Sequence, residues 1–116
     1  MPHNFDNQTP IYIQIMDVIK TEIISGKYQL GQKLPSVRDF AFQFDANPNT
    51  VQKALFELEE MGLIVTERTS GKYVTSDEKV LLDARFLVVD KIIEDFFKSM
   101  AKIGIDKEEA KKLINK

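Results

Sequence analysis

The chain of 116 residues contains no cysteine and a single histidine. The absence of cysteine excludes disulfide bonds, thiolate zinc sites and cysteine nucleophiles, and it is compatible with a reducing compartment. His3 lies in a polar segment with no second histidine or cysteine to share a metal, so we expect no metal site and no cofactor. Without a nucleophile, a placed histidine or a phosphate-binding loop, the sequence does not predict an enzyme.

The sequence also lacks an excess of positive charge and a long apolar run. Sixteen Lys and Arg stand against eighteen Asp and Glu, so any contact with nucleic acid must depend on a local cluster. No apolar stretch approaches the roughly 18 residues of a membrane span, and the opening MPHNFDNQTP does not resemble a signal peptide. With 43% hydrophobic and 29% charged residues, the composition predicts a small, soluble, cytoplasmic globular protein.

Three helix patterns occupy the first half of the chain. Thr9 as a cap and Pro10 in the first turn predict the start of the first helix, and Gly26 predicts its end. Ser36 caps a second helix that ends near Phe44. The linking segment should turn Leu30 and Leu34 inward, and the predicted core stripe of the first helix is Ile11, Ile15, Val18, Ile19 and Ile23.

The third helix begins at Asn47 as cap and Pro48 in the first turn, and Gly62 closes it. Its predicted buried stripe is Val51, Ala54, Leu55, Leu58 and Met61. Two β-rich runs, 63–68 and 72–75, follow and predict a hairpin around Thr69-Ser70-Gly71. Helices joined by short turns and followed by a hairpin indicate a winged helix-turn-helix domain over residues 1–76.

Residues 77–116 predict a tail of two helices. The first, from Asp77 to Ile103, carries a heptad seam, and the second, Lys107 to Ile114, follows Gly104 and is capped by Asp106. Because further apolar residues widen the seam, we expect a homodimer, although a purely intramolecular role stays open. The predicted dimer residues are Leu82, Phe86, Val89, Ile93, Phe96, Phe97 and Met100. The predicted fold is thus mainly α with a small β-hairpin wing.

Charge is unevenly distributed along the third helix. Its acidic residues Glu57, Glu59 and Glu60 lie in its second half, where helical spacing favours exposed faces rather than a catalytic pocket. Its first turns are polar or basic, as are the hairpin tip and the start of the second helix, so this end is the one that DNA can approach. The residues are Asn49, Thr50, Gln52 and Lys53, then Arg68, Ser70 and Lys72, then Ser36 and Arg38.

Five ordered motifs lie between about residue 10 and residue 75. They are Pro10-Ile-Tyr-x-Gln-Ile15, Gly31-x-x-Leu34-Pro35-Ser36-x-Arg38-x-x-Ala41, Asn47-Pro-Asn-Thr-Val51-x-x-Ala54-Leu55, Leu58-Glu-x-x-Gly62 and Ser70-Gly71-x-Tyr73-Val74. In these motifs the chain resembles the GntR family of transcription regulators. The short two-helix tail further resembles the YtrA-like subfamily, since about forty residues after the wing leave no room for a larger effector domain.

The resemblance implies roles at the matching positions. Arg38 would grip the DNA backbone or a guanine, Asn47, Asn49 and Thr50 would begin the recognition helix, and Gly71 would approach the minor groove. Pro48 and Gln52 stand where many members carry guanine-reading arginines, so we expect fewer arginine–guanine contacts. Gln52 can pair with adenine, whereas Lys53 suits a phosphate.

The expected function is a homodimeric repressor that binds double-stranded DNA at an inverted-repeat operator. The alternative is a winged-helix protein-interaction module that does not bind DNA, and a solvated polar face on the third helix would suit it. Phe56 and Tyr73 can pack the wing against the third helix or touch DNA, and packing is the preferred assignment. A small-molecule effector remains possible, but no residue identifies one.

Overall fold

The computed structural model describes residues 5–115, and their elements follow the predicted order. The helices are α1 (Ile11–Ile24), α2 (Val37–Phe44), α3 (Pro48–Glu60), α4 (Glu78–Lys102) and α5 (Lys107–Ile114), and the strands are β1 (Ile64–Glu67) and β2 (Gly71–Val74). The mainly helical fold with a hairpin wing is confirmed. The chain forms two compact units, one ending at Leu82 and the other beginning at Asp83.

The start of α1 differs from the prediction. Pro10 itself is the N-cap, with φ −51° and ψ 139°, and no side chain caps the helix, so Thr9 does not have the predicted role. Gln14 instead ties the preceding segment to the helix, because its amide nitrogen donates to the backbone oxygens of Thr9 at 2.8 Å and Asp6 at 2.9 Å. Its side-chain oxygen accepts from the Asp6 N–H at 3.0 Å. One glutamine therefore holds the preceding segment against the first turn.

The segment between α1 and α2 places a different residue inward than predicted. Leu34 is buried, but Leu30 is 41% exposed and Tyr28 is buried in its stead. The Glu22 carboxylate on α1 is the charged group that acts on the Tyr28 hydroxyl. Burial, reinforced by this carboxylate, raises the pKa of Tyr28 to about 12. A large aromatic ring thus takes the inward position in this loop.

Local capping determines α2 and α3. Ser36 accepts from the Asp39 N–H at 3.0 Å while the Asp39 carboxylate accepts from the Ser36 N–H, which completes a capping box. Asp45 ends α2 in the left-handed conformation, with φ 51°, and Asn47 then caps α3. Met61 does not join the buried stripe as predicted, because it lies at the C-cap and is 45% exposed.

The core of the first unit lies between α1, α2, α3 and the base of the hairpin. Phe40 and Phe44 stack with ring centroids 5.9 Å apart. Ile11, expected in the stripe of α1, is exposed at the first turn, and Val18 is half-buried. The side chains with almost no exposure are Ile15, Ile19, Ile23, Phe40, Val51, Ala54, Leu55, Leu58, Leu63, Ile64 and Val74. This packing places the opposite face of α3 in solvent.

The wing is a two-stranded antiparallel sheet with an additional short edge. β1 pairs with β2 in the register Ile64 to Val74 through Glu67 to Gly71. Lys33 forms an isolated bridge with Tyr73, and the Leu34 N–H donates to the Lys72 carbonyl at 2.9 Å. The chain that leads into α2 is thereby fixed to the hairpin.

The second unit contains most of α4 and all of α5. None of the 25 residues of α4 is buried. Asp106 caps α5 as predicted by accepting from the Glu109 N–H at 2.8 Å, and Ala110 is the only buried residue of this helix, while Leu113 and Ile114 are exposed. Among the described residues, no helix is both long and apolar enough to cross a bilayer.

Candidate nucleic-acid interface

The outward face of α3 carries the predicted base-reading residues. Asn49, Gln52 and Lys53 are exposed, and Thr50 is half-buried. Spacings of three and four residues place Asn49, Gln52 and Lys53 on one side of the helix, opposite the buried stripe. Three amide or amine side chains therefore project together from the first two turns of a helix whose other face is anchored in the core.

Asn47 and Lys53 each have a partner within the protein. The Asn47 side-chain oxygen accepts from the Asn49 N–H at 2.8 Å, so capping uses its acceptor and leaves its amide nitrogen for another group. The Lys53 ammonium lies 4.1 Å from the centroid of the Tyr12 ring on α1. This cation–π contact directs the lysine toward the edge of the α3 face, a position that suits a backbone phosphate better than a base.

A groove of about 340 Å³ separates the start of α2 from the wing tip. It joins residues that are distant in sequence and that were predicted to contact DNA, namely Ser36, Arg68, Ser70, Gly71 and Lys72. Arg38 does not line this groove, but it is exposed and forms no ion pair with another described residue. Arg68 is likewise exposed and free of ion pairs within the described chain.

Lys33 also lines this groove and was missed by the sequence prediction. A methyl group added at Gly71 would lie 3.4 Å from the Lys33 side chain, and Gly71 has a φ of 122° that favours glycine. Strand pairing brings these two residues together across almost forty positions of sequence. In the sequence, the position of Lys33 directly before Leu34-Pro-Ser36 was the signal that could have indicated it. Only the strand pairing shows that Lys33 lies beside Gly71.

Lys72 was expected to contact DNA, but it is largely engaged within the protein. Its side chain is 16% exposed, and its ammonium donates to the Thr66 hydroxyl at 2.9 Å and lies 3.5 Å from the Glu59 carboxylate. Thr66 in turn donates to Glu59 at 2.7 Å. These three residues, here called the wing clasp, tie both strands of the hairpin to the second half of α3. Glu59 thus has a structural role that its expected exposed position did not predict.

The two aromatic residues near the wing behave differently. Tyr73 is half-buried and donates from its hydroxyl to Ser70 at 2.9 Å, so that hydroxyl supports the hairpin tip. Phe56 is 55% exposed, which contradicts its assignment to packing between wing and helix. The reason is that the hairpin contacts α3 through the wing clasp, while Phe56 lies on the outward side of the helix.

The predicted dimer residues follow one side of α4, and each of them is at least partly exposed. Phe86 is 62% and Ile93 47% exposed, Val89 and Phe96 are exposed too, and Leu82, Phe97 and Met100 are half-buried. The polar residues beside them pair along the helix, with Lys98 to Glu94 at 2.8 Å and Lys91 to Asp95 at 2.9 Å. The Lys98 ammonium lowers the pKa of the Glu94 carboxyl. The tail therefore separates a salt-bridged face from an apolar one.

No group of His, Asp or Glu side chains suited to holding a metal ion occurs in residues 5–115. His3, the histidine assigned no metal role, lies outside the described residues.

Comparisons with known proteins agree with this geometry. The family model "Bacterial regulatory proteins, gntR family" matches residues 11–74. The chain is 34% identical over 109 residues to "Uncharacterized HTH-type transcriptional regulator YhcF" of Bacillus subtilis, covering 94% of this chain and 90% of the relative. It is 46% identical over 76 residues to "HTH-type transcriptional repressor YtrA" of the same organism, covering 66% of this chain and 58% of YtrA.

Two solved structures extend the likeness. A GntR family transcriptional regulator from Listeria monocytogenes superposes with a TM-score of 0.88 at 40% identity, over 96% of this chain and 97% of that one. The AraR DNA-binding domain in complex with operator ORE1 superposes with a TM-score of 0.57 at 28% identity, over 64% of this chain and 90% of that one.

Proposed function

As a member of the GntR family, the chain is a DNA-binding transcription regulator, and we propose that it acts as a homodimeric repressor at an inverted-repeat operator. The observation that carries the proposal is the outward face of α3, where Asn49 and Gln52 are exposed and have no side-chain partner in the described chain. Such amides suit base edges in a major groove. The AraR domain, a structural relative, is itself described in complex with an operator.

The second part of the proposed site is the groove between α2 and the wing. Ser36, Arg68 and Lys33 supply donors to phosphate oxygens, and Arg38 adds an exposed guanidinium on α2. This local arrangement offsets the formal net charge of −2. We assign positioning to these residues and sequence selection to α3.

The exposed apolar face of α4 supports the homodimer. Side chains such as Phe86 and Ile93 keep about half of their surface in water, which is costly unless another surface covers them. A second copy offers the same face, and a twofold dimer presents two recognition helices to a DNA site of matching symmetry. The relative YtrA is described as a transcriptional repressor, which favours repression for this chain. A DNA-binding regulator of this kind acts in the cytoplasm, where bacterial operators lie.

The test is a binding titration on a duplex that the purified protein selects from a random pool. We expect Arg38→Ala to weaken binding to every duplex. Gln52→Ala should change the base preference at one position, and the lost contact should cost about 1–3 kcal/mol of binding free energy. Glu60→Ala, at an exposed position in the acidic second half of α3, is the matched control and should not weaken binding. Wild-type affinity in Arg38→Ala would overturn the assignment of Arg38.

Salt dependence separates this function from a protein-interaction module. Binding through several phosphates falls log-linearly and steeply with salt, whereas an apolar protein interface responds little. Selection of no preferred duplex at any salt concentration would contradict the proposed function. For repression, a promoter that overlaps the selected site should be less active when the protein is present than when it is absent.

A further inference from the structure

Phe56 occupies an outward position on α3 that the fold does not use. It lies seven residues after Asn49 and four after Gln52, so it shares their side of the helix, about 10.5 Å along the axis from Asn49. Its side chain is 55% exposed, and no ring or cation contact is formed with another described residue. The hairpin contacts α3 at Glu59 instead. The phenyl ring is therefore free for a partner in the direction that the base-reading residues face.

The charges along this side of α3 determine how much of the helix can lie against DNA. Lys53 precedes Phe56, and the exposed carboxylate of Glu60 follows one turn later. Because a carboxylate repels phosphate, the favourable part of the face ends at Phe56. A phenyl ring offers no donor to a phosphate oxygen, so its complementary group on DNA is apolar. In the major groove that group is the C5-methyl of thymine.

On the basis of the proposed function, we propose that Phe56 packs on a thymine methyl group and specifies thymine at one position of each half-site. Because Phe56 lies about 10.5 Å along α3 from Asn49, this thymine lies at the other end of the half-site from the bases next to Asn49. Phe56 thereby adds apolar selection to the amide contacts of Asn49 and Gln52.

The experiment replaces thymines of the selected duplex one at a time by deoxyuridine, which deletes only the methyl group. For wild type, one position in each half-site should lose about fourfold in affinity, which corresponds to one buried methylene-sized group. Phe56→Ala should bind the thymine and deoxyuridine duplexes equally, and Phe56→Leu should retain part of the difference. Cytosine at this position should be improved by 5-methylcytosine with wild type and not with Phe56→Ala.

Phe42→Ala is the matched control, because Phe42 is 89% exposed on α2 and the same side chain is deleted. This variant should keep the full sensitivity to deoxyuridine. Undiminished affinity of wild type for every deoxyuridine duplex would overturn the role of Phe56 while leaving the proposed function intact. The same sensitivity in Phe56→Ala as in wild type would also overturn it, since another residue would then contact the methyl group. Selection of no duplex by wild type would instead defeat the proposed function.

Discussion

The two units of the chain distribute their apolar side chains in opposite ways. In the first unit, Ile15, Leu58 and Ile64 are almost fully buried, whereas in the second Phe86 and Leu87 are mostly exposed. The first unit therefore supplies its own core from three helices and a hairpin. The second unit carries the same kind of side chain in contact with solvent. The difference teaches that residue type alone does not decide burial, and it supports the proposed homodimer.

The most disruptive test of this contrast is to place charge on the apolar face of the tail. We expect Phe86→Asp combined with Ile93→Asp to abolish self-association and to lower operator affinity at least about a hundredfold, because linked binding of two half-sites is lost. Sedimentation and DNA titration measure the two effects. Ser99→Asp, an exposed polar site on the same helix, is the control. A wild type that sediments as a monomer at micromolar concentration would contradict the expected homodimer.

Truncation of a leucine should lower stability in the core of the first unit but not in the second unit. Leu58→Ala should lower the free energy of unfolding by about 2–5 kcal/mol, since Leu58 is fully buried on α3. The same truncation at Leu87, made in the monomeric Phe86→Asp, Ile93→Asp background, should change it by less than about 0.5 kcal/mol. Urea denaturation measures both values. Equal losses of unfolding free energy at Leu58 and Leu87 would contradict the difference between the two units.

A smaller effect is expected at the wing clasp of Glu59, Thr66 and Lys72. Thr66→Val keeps the shape of the side chain but removes the hydroxyl that donates to Glu59 and accepts from Lys72, so stability should fall by about 1.5 kcal/mol. Thr69→Val on the hairpin turn is the control, and it should have almost no effect. Chemical denaturation of both variants is the measurement, and identical midpoints would show that the clasp does not stabilise the wing.

The smallest effect concerns Tyr28 and depends on pH. Because folding raises the pKa of Tyr28 from 10.0 to about 12, the stability that its neutral form contributes is complete below pH 10 and is lost between pH 10 and 12. Tyr28→Phe lacks this titration, so its stability should not change through this group as the pH rises. Urea denaturation from pH 8 to 11 should show the stability of the wild type falling relative to that of Tyr28→Phe above pH 10; a constant difference between the two would contradict the raised pKa.

Much of the fold could be predicted because its signals are local. The capping box at Ser36, the Asn47 cap and the Asp106 cap each lie within three residues of the amide they satisfy, and these helix starts were predicted correctly. The errors occur where distant packing decides. Tyr28 takes the interior position in place of Leu30, and its surroundings there, which include Glu22 on α1, are set by tertiary packing.

The candidate site was less predictable, because residues of the same type and charge can have different roles, and their neighbours in the fold decide which. Lys72 and Lys33 have the same chemistry, yet Glu59 holds Lys72 within the protein, and strand pairing exposes Lys33 beside Gly71. Both outcomes depend on contacts between residues far apart in sequence. Periodicity does identify the outward side of α3, and Phe56 could have been placed there from its spacing to Asn49.

In the DNA complex that we propose, the edge pairing of Lys33 with the hairpin makes operator choice sensitive to the stiffness of the duplex. Two hydrogen bonds of 2.9 Å, from Leu34 to Lys72 and from Val74 to Gln32, hold the wing against the chain that enters α2. The span between Ser36 and the wing tip is thus set by the protein, and in the proposed complex the DNA bound across both must match it. A duplex that does not match must bend or change its groove width, at a cost that varies with base sequence even where no side chain touches a base.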